Sequence, residues 1–305
     1  MKKGLKYDGA VVPLVTPLNA QGVLDEPALH RLLDRQIAGG VAGIFVLGTT
    51  GEGAYVPPLE RRRLVEQTVA RVKNQALVYA GLGDLRAADA SEANVFLTLG
   101  ADVVVGHPPI TQRVGVDGLE SWFLSLLDGV QGPLMLYNMP ATTGVSIPLD
   151  AVANLLGHPR LAGIKDSENN APRHEELMGR FGGKKDFSVF VGVGALMEKG
   201  LKLGADGIVP SVGNLIPEVC HQFCAAAKKS DWSLAGRHFE RMNAVASLYQ
   251  KGRNLNESLA ALKAALHCRG LCASQVLAPL QRVSEAELER IRQQMTELQL
   301  HPENS

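Results

Sequence analysis

The sequence has no surplus of either charge: 31 Lys and Arg balance 31 Asp and Glu in 305 residues. Affinity for a phosphate backbone or an anionic lipid surface comes from excess basic residues, so the balance argues against nucleic-acid and membrane-surface partners. Long hydrophobic runs are also missing. The basic start, Met1-Lys2-Lys3-Gly4-Leu5-Lys6, leads into an apolar stretch from Ala10 to Val15 that Pro13 interrupts. That stretch is too short for a secretory signal, and nothing approaches the ~18 apolar residues of a membrane span. Cysteine is scarce, with four residues, Cys220, Cys224, Cys268 and Cys272, all in the last third. Each pair is spaced four apart in a helical context, which reads as helix packing in a reducing cytoplasm. His221 and His267 flank the pairs, but neither C-x-x-C nor H-E-x-x-H occurs, and no metal site is expected. There is no P-loop and no G-x-S-x-G elbow. The segment Val191-Gly192-Val193-Gly194-Ala195 lacks the third glycine of a dinucleotide fingerprint, since Met197 stands there. These absences leave a cytoplasmic enzyme acting on a small molecule.

Short, near-continuous apolar runs recur at 9–15, 42–47, 76–82, 101–106, 133–138, 161–165, 187–193 and 206–211. Such runs suit parallel strands buried on both faces. The gaps between them hold amphipathic stretches long enough for crossover helices, such as Leu29-Leu32-Leu33-Gln36-Ile37 and Leu59-Arg63-Leu64-Val65-Val69-Val72. Pro57-Pro58 suits the start of the second of these helices. The pattern predicts an α/β fold, a (β/α)8 TIM barrel over residues 1–225, with a doubly wound sheet as the alternative. Beyond Ser230 no strand-like run follows. Helical patterns over 233–249, 256–267 and 284–300 predict a C-terminal helical domain over 226–305, its last helix opening on a capping-box pattern, Ser284 to Glu287.

In a barrel, catalytic side chains project from the C-terminal strand ends and the loops after them. After the second strand comes Gly48-Thr49-Thr50-Gly51-Glu52-Gly53, either a turn whose amides and hydroxyls converge on an anion or an ordinary glycine-rich turn. The fifth strand ends at Tyr137, a packing residue or a general acid/base. The sixth ends in Lys165, unusual for an apolar strand. Desolvation there favours the free, nucleophilic amine, and the alternative is a pair with Asp166. Because alternate residues point inward, Lys165 and Asp166 are expected to diverge. The run Arg61-Arg62-Arg63 reads as a solvated helix face, and His30, His158 and His174 as residues without partners. Together, an anion-binding loop, a tyrosine and a buried lysine match a 2-oxo acid, with its carboxylate on the loop and its carbonyl at the amine.

These motifs, Gly48-Thr49-Thr50-Gly51-Glu52, Tyr137-Asn138-Met139-Pro140 and Gly163-Ile164-Lys165-Asp166-Ser167, resemble the pyruvate-dependent class I lyases across essentially the whole chain. That superfamily includes dihydrodipicolinate synthase, N-acetylneuraminate lyase and the 2-keto-3-deoxy-acid aldolases. The resemblance implies a Schiff base on Lys165, proton transfer by Tyr137 with Thr49, and carboxylate binding by Thr49 and Thr50. Gly48, Gly51, Gly192 and Val209 would shape the pyruvate pocket. It further implies a homotetramer, a dimer of dimers, with no metal or organic cofactor. Two departures bear on the second substrate. Thr111 stands where the synthase has its relay tyrosine, and Thr142 stands where the synthase has an arginine for the aldehyde's carboxylate. Val193 and Gly194 replace the acidic residues that hold substrate hydroxyls in other members, and Arg113 is a candidate anion partner. The reading is therefore a 2-keto-3-deoxy-acid type aldolase, alternatively dihydrodipicolinate synthase. A dehydratase or deaminase working through the same imine, a non-catalytic 2-oxo-acid-binding protein and a phosphate-binding barrel isomerase are the further readings.

Overall fold

The apolar runs pair as parallel strands in chain order, and the eighth returns to the first to close the barrel. In the computed structural model, which describes residues 7–83, 89–110 and 114–302, the first four strands are β1 Gly9–Pro13, β2 Gly43–Val46, β3 Leu77–Gly81 and β4 Val103–Gly106. The others are β5 Leu134–Asn138, β6 Leu161–Asp166, β7 Ser188–Val191 and β8 Gly207–Ile208. The helical layer contains α1 Glu26–Ala38, α2 Pro58–Val72, α3 Ser91–Thr98, α4 Leu119–Gly129 and α5 Pro140–Thr143. It continues through α6 Leu149–Leu155, α7 Ala171–Phe181, α8 Met197–Lys202 and α9 Pro217–Lys228. Three more helices follow, α10 Trp232–Gln250, α11 Leu255–Cys268 and α12 Glu285–Glu297. The architecture is the expected (β/α)8 barrel with a C-terminal helical extension.

Most strands are shorter than the apolar runs that announced them. Leu14, Val15, Leu47 and Leu82 lie beyond the ladder yet are buried under the loops that cap the barrel. An apolar run reports burial, and here burial extends past the strand ends, where the Leu14 and Leu82 amides still donate to Phe45 and Val105. Inside the barrel, Val11, Phe45, Tyr79, Met135, Phe190 and Val209 fill the space and leave the C-terminal end for polar groups.

Helix α1 follows its sequence pattern. Asp25 caps it by accepting from the Ala28 amide at 3.0 Å, and Leu29, Leu32 and Leu33 face the barrel. Helix α2 starts at Pro58 as expected, but its faces differ from the reading. Leu59 is 82% exposed and Arg61 only 4%. The Arg61 guanidinium donates to the carbonyl oxygens of Gly53 and Gly81, the latter at 2.9 Å, and to Glu92 at 2.6 Å. It pins the β2 and β3 loops together, so the arginine run is not uniformly solvated.

The three histidines read as unpartnered all have partners. His30 meets Gln67 at 3.4 Å, His158 meets Asp128 at 3.3 Å, and His174 meets the Glu168 carbonyl at 3.2 Å. The capping box forms elsewhere than expected. Ser284 accepts from the Glu287 amide, but the Glu287 carboxylate pairs with Arg253 and Arg290. The reciprocal box closes on α11, between Asn254 and Glu257.

Cys220 and Cys224 share α9, whereas Cys272 lies beyond the end of α11 that Cys268 closes. All four thiols are free, and burial pushes those of Cys224 and Cys272 up to about 12, far from reactive thiolates. Among the described residues no helix is long and apolar enough to cross a membrane.

Candidate active site

The last residues of β5 and β6 place two side chains side by side. Tyr137 and Lys165 are register partners across these strands. Their side chains point into the barrel because Asn138 and Asp166, one residue on, point out. The Lys165 amine lies 3.9 Å from the centroid of the Tyr137 ring and 4.9 Å from that of Phe45. Lys165 is 5% exposed, and this burial lowers its pKa below the ordinary lysine value; the adjacent Tyr137 hydroxyl pulls the other way and is outweighed. A larger fraction of the amine is therefore unprotonated than on an exposed lysine. The Thr49 hydroxyl stands 3.1 Å from the Tyr137 hydroxyl, linking the loop after β2 to this pair.

The lysine does not pair with Asp166. That carboxylate faces outward, accepting from Asn138 at 2.9 Å, Arg173 at 2.9 Å and the Glu168 amide at 2.9 Å. Glu168 accepts from Ser146 at 2.5 Å and from Asn138 at 3.1 Å. Burial alone would raise the Glu168 pKa, but hydrogen bonds from Ser146, Asn138 and Asn170 and the Arg173 charge hold it below the usual carboxylate value. This network fixes the ends of both strands from behind, so Tyr137 and Lys165 in front inherit a rigid backbone.

The loop after β2 is bent by two residues in the left-handed region, Leu47 at φ 61° and Glu52 at φ 56°. Within it the amides of Gly51 and Gly53 donate to Gly48, and the amide of Glu52 donates to Thr49. A Cβ on Gly53 would lie 1.9 Å from the Leu47 carbonyl oxygen, so only glycine fits there. Glu52 turns inward. It forms an ion pair with Lys263 of α11, each side chain 1% exposed, and accepts from the Leu277 amide at 2.6 Å.

Above Tyr137 opens a cleft of about 410 Å³, within the range of small-molecule sites. Gly48, Thr49, Tyr137 and Thr142 line it, together with Phe45, Leu47, Leu82, Val105, His107 and Ile110. Asn254, Leu255, Asn256 and Leu259, at the start of α11, form the far wall. Lys165 and Val209 border a small cavity beneath, which shares Phe45 and Val105 with the cleft. Thr50 is half-buried beside this group, and Gly51 is buried within the loop. Gly192 lies against Ser167, where a Cβ would meet its hydroxyl at 2.0 Å, and it borders a second cleft of about 620 Å³ against α10. Neither Lys165 nor Tyr137 lines that second cleft. Thr111 and Arg113 lie outside the described residues.

Reading the sequence missed His107 and the α11 wall. His107 immediately follows β4, a position that barrel geometry marks as catalytic, and its ring stands edge-on to Tyr137 at 6.3 Å between centroids.

Comparison with known proteins agrees with this fold. The model of the dihydrodipicolinate synthetase family matches residues 6–298. A 4-hydroxy-tetrahydrodipicolinate synthase of Phenylobacterium zucineum is 32% identical over 281 residues, covering 92% of this chain and 93% of the relative. The structure of dihydrodipicolinate synthase from Bacteroides thetaiotaomicron superposes with a TM-score of 0.88 at 32% identity, covering 95% of this chain and 98% of the other. The Acinetobacter baumannii dihydrodipicolinate synthase complexed with pyruvate gives a TM-score of 0.86 at 26% identity, covering 97% and 100%.

Proposed function

The chain belongs to the dihydrodipicolinate synthetase family and is a pyruvate-dependent lyase of the lysine Schiff-base class; from that premise we propose that Lys165 forms the Schiff base and works on the C–C bond beside pyruvate. The observation that carries this reading is a buried lysine amine 3.9 Å from the ring of a tyrosine whose hydroxyl meets a loop threonine. The free amine adds to the pyruvate carbonyl carbon, and water leaves to give an iminium. Loss of a methyl proton then gives an enamine, whose carbon bonds to an aldehyde. Tyr137 and Thr49 carry protons during imine formation and its hydrolysis. Thr49 and Thr50 hold the carboxylate on the loop shaped by Gly48 and Gly51. Val209 packs beside the bound methyl group, and Gly192 leaves room at the end of β6.

For the second substrate, the names of the relatives support the synthase reaction better than the aldolase that the sequence put first. Aspartate semialdehyde is therefore the first acceptor to test. The aldolase reading keeps one observation in its favour. Among the described residues lining the cleft there is no arginine or lysine, and Thr142 stands where the resemblance puts an arginine. An acceptor carboxylate would then lack a cationic partner from these residues. The family resemblance also supports a cytoplasmic homotetramer, which sedimentation would check.

The deciding experiment is borohydride reduction in the presence of pyruvate, followed by peptide mapping. An adduct on Lys165 is expected, and its absence would sink the Schiff-base reading. Consumption of aspartate semialdehyde, compared with pyruvate release from 2-keto-3-deoxy acids, then separates synthase from aldolase. An adduct without turnover on either would favour a 2-oxo-acid-binding protein.

A further inference from the structure

Resting on the Schiff-base reading, we propose that Arg61 is the positioning residue for the carboxylate of the 2-oxo acid. It touches no substrate itself. It acts through the loop that carries Thr49 and Thr50, the residues which that reading assigns to the carboxylate.

The loop leaves β2 at Leu47, where a φ of 61° turns the chain out of the strand. The Leu47 carbonyl oxygen is packed between two glycines. A Cβ on Gly53, at the far end of the loop, would lie 1.9 Å from it. One on Gly81, the last residue of β3, would lie 2.3 Å from it. Both glycines line the cleft, so this close packing belongs to the site. Arg61 donates to the carbonyl oxygens of these same two residues, from Nη1 to Gly53 and from Nη2 to Gly81 at 2.9 Å. The guanidinium thus draws together the two segments that close on Leu47, two residues before Thr49.

The clasp is anchored on its other side. Glu92 accepts from Arg61 Nε at 2.6 Å and from Nη2 at 3.0 Å, and accepts from the Gly83 amide at 2.8 Å. One arginine thereby joins the loop after β2, the end of β3 and the first turn of α3. Its guanidinium carbon lies 5.9 Å from the centroid of the Phe96 ring, and the residue is buried, so water competes little for these bonds. The planar fork supplies separate N–H directions for two carbonyls and a carboxylate, a spread that a lysine ammonium does not reproduce. The neighbouring Arg62 and Arg63 are exposed. The distance of 3.1 Å between the hydroxyls of Thr49 and Tyr137 is only as fixed as this loop. A shift of about 1 Å in a positioned group can cost about 10²-fold.

The test compares the parent with Arg61→Lys and reads borohydride trapping on Lys165 with two ketones, pyruvate and methyl pyruvate. The ester keeps the reactive carbonyl and lacks the carboxylate. The parent is expected to trap pyruvate at lower concentration than the ester. In Arg61→Lys the pyruvate concentration for half-maximal trapping is expected to rise about 10–10²-fold, while that for the ester changes by less than about threefold. The acid's advantage over the ester then collapses. A general loosening of the fold would weaken both ketones alike, and such a parallel loss overturns the role. Pyruvate trapping within about threefold of the parent overturns it too. Where circular dichroism shows that Arg61→Lys does not fold, Glu92→Gln decides. That variant keeps the arginine but weakens its anchor, and the same selective loss is expected at about three- to tenfold. A parallel loss or none overturns the role there as well. So does a parent that traps acid and ester equally, because the loop then holds no carboxylate. A parent with no adduct from either ketone defeats the Schiff-base reading, and this role with it.

Discussion

Lys165 occupies a position that works against the stability of the barrel. Its burial disfavours the ammonium, so the folded chain holds that proton less tightly than the unfolded chain does. Between the lowered folded pKa and the ordinary lysine value of ~10.4, the unfolded state binds more protons, and stability therefore rises with pH. Lys165→Met is expected to abolish the pyruvate adduct and yet raise the denaturation midpoint at pH 7. The gain should shrink as the pH approaches the ordinary lysine value, which parallel urea titrations would show. Tyr137→Phe removes the hydroxyl that meets Thr49, and a fall of about 10²–10⁴-fold in kcat is expected from steady-state assays. That Tyr137 and Lys165 face the barrel interior was legible in the sequence because strand alternation fixes which way a strand end points, and Thr49 stood out through its glycine-rich loop. His107 was not, because it stands one residue past its apolar run, just before a Pro–Pro segment that carries no strand signal. Arg61 was hidden for another reason. A charge run on a helix looks solvated until the carbonyls of Gly53 and Gly81 are brought to it by the fold.

Beyond the strand ladder and the apolar core, a few buried polar contacts tie the elements together. The Glu52–Lys263 pair ties the loop after β2 to α11, with both side chains 1% exposed. Burial lowers the Lys263 pKa, with Glu52 opposing, so the pair is held at a desolvation cost. Glu52→Gln leaves a buried ammonium without its counter-charge and is expected to cost about 3–5 kcal/mol in denaturant titrations. The double variant Glu52→Leu with Lys263→Met should recover most of that loss, because two apolar groups replace the pair. Strands and amphipathic helices were readable from periodicity, and α1 buries the face that its apolar spacing predicted. Their ends were not, since Leu14, Leu47 and Leu82 are as buried as strand residues while lying past the strand ends. The exposure of Leu59 shows the same limit, because spacing alone does not say where a helix leaves its sheet.

Across the whole molecule, neutral composition and a barrel frame coexist with a site built from distant parts of the chain. The cleft takes its floor from strand ends and its far wall from Asn254, Leu255, Asn256 and Leu259. The helical character of the tail was legible in the sequence. Its share in the cleft was not, because only the three-dimensional path of the chain brings α11 over β2 and β4. A variant ending after Arg269 keeps Lys263 but loses Gln275, which accepts from Lys263 at 2.7 Å, and Leu277, which donates to Glu52. Such a variant is expected to lose pyruvate trapping even where circular dichroism still reports helices and strands. The contact between Glu52 and Leu277 spans 225 residues of sequence. During synthesis, the loop carrying Thr49 thus emerges long before the segment that locks it, so a ribosome-bound or prematurely terminated chain carries the reactive lysine without the finished pocket. On the proposed reading, the Glu52–Leu277 contact withholds this chemistry until Leu277 has been made, and a copy cut before it is expected to leave 2-oxo acids unmodified.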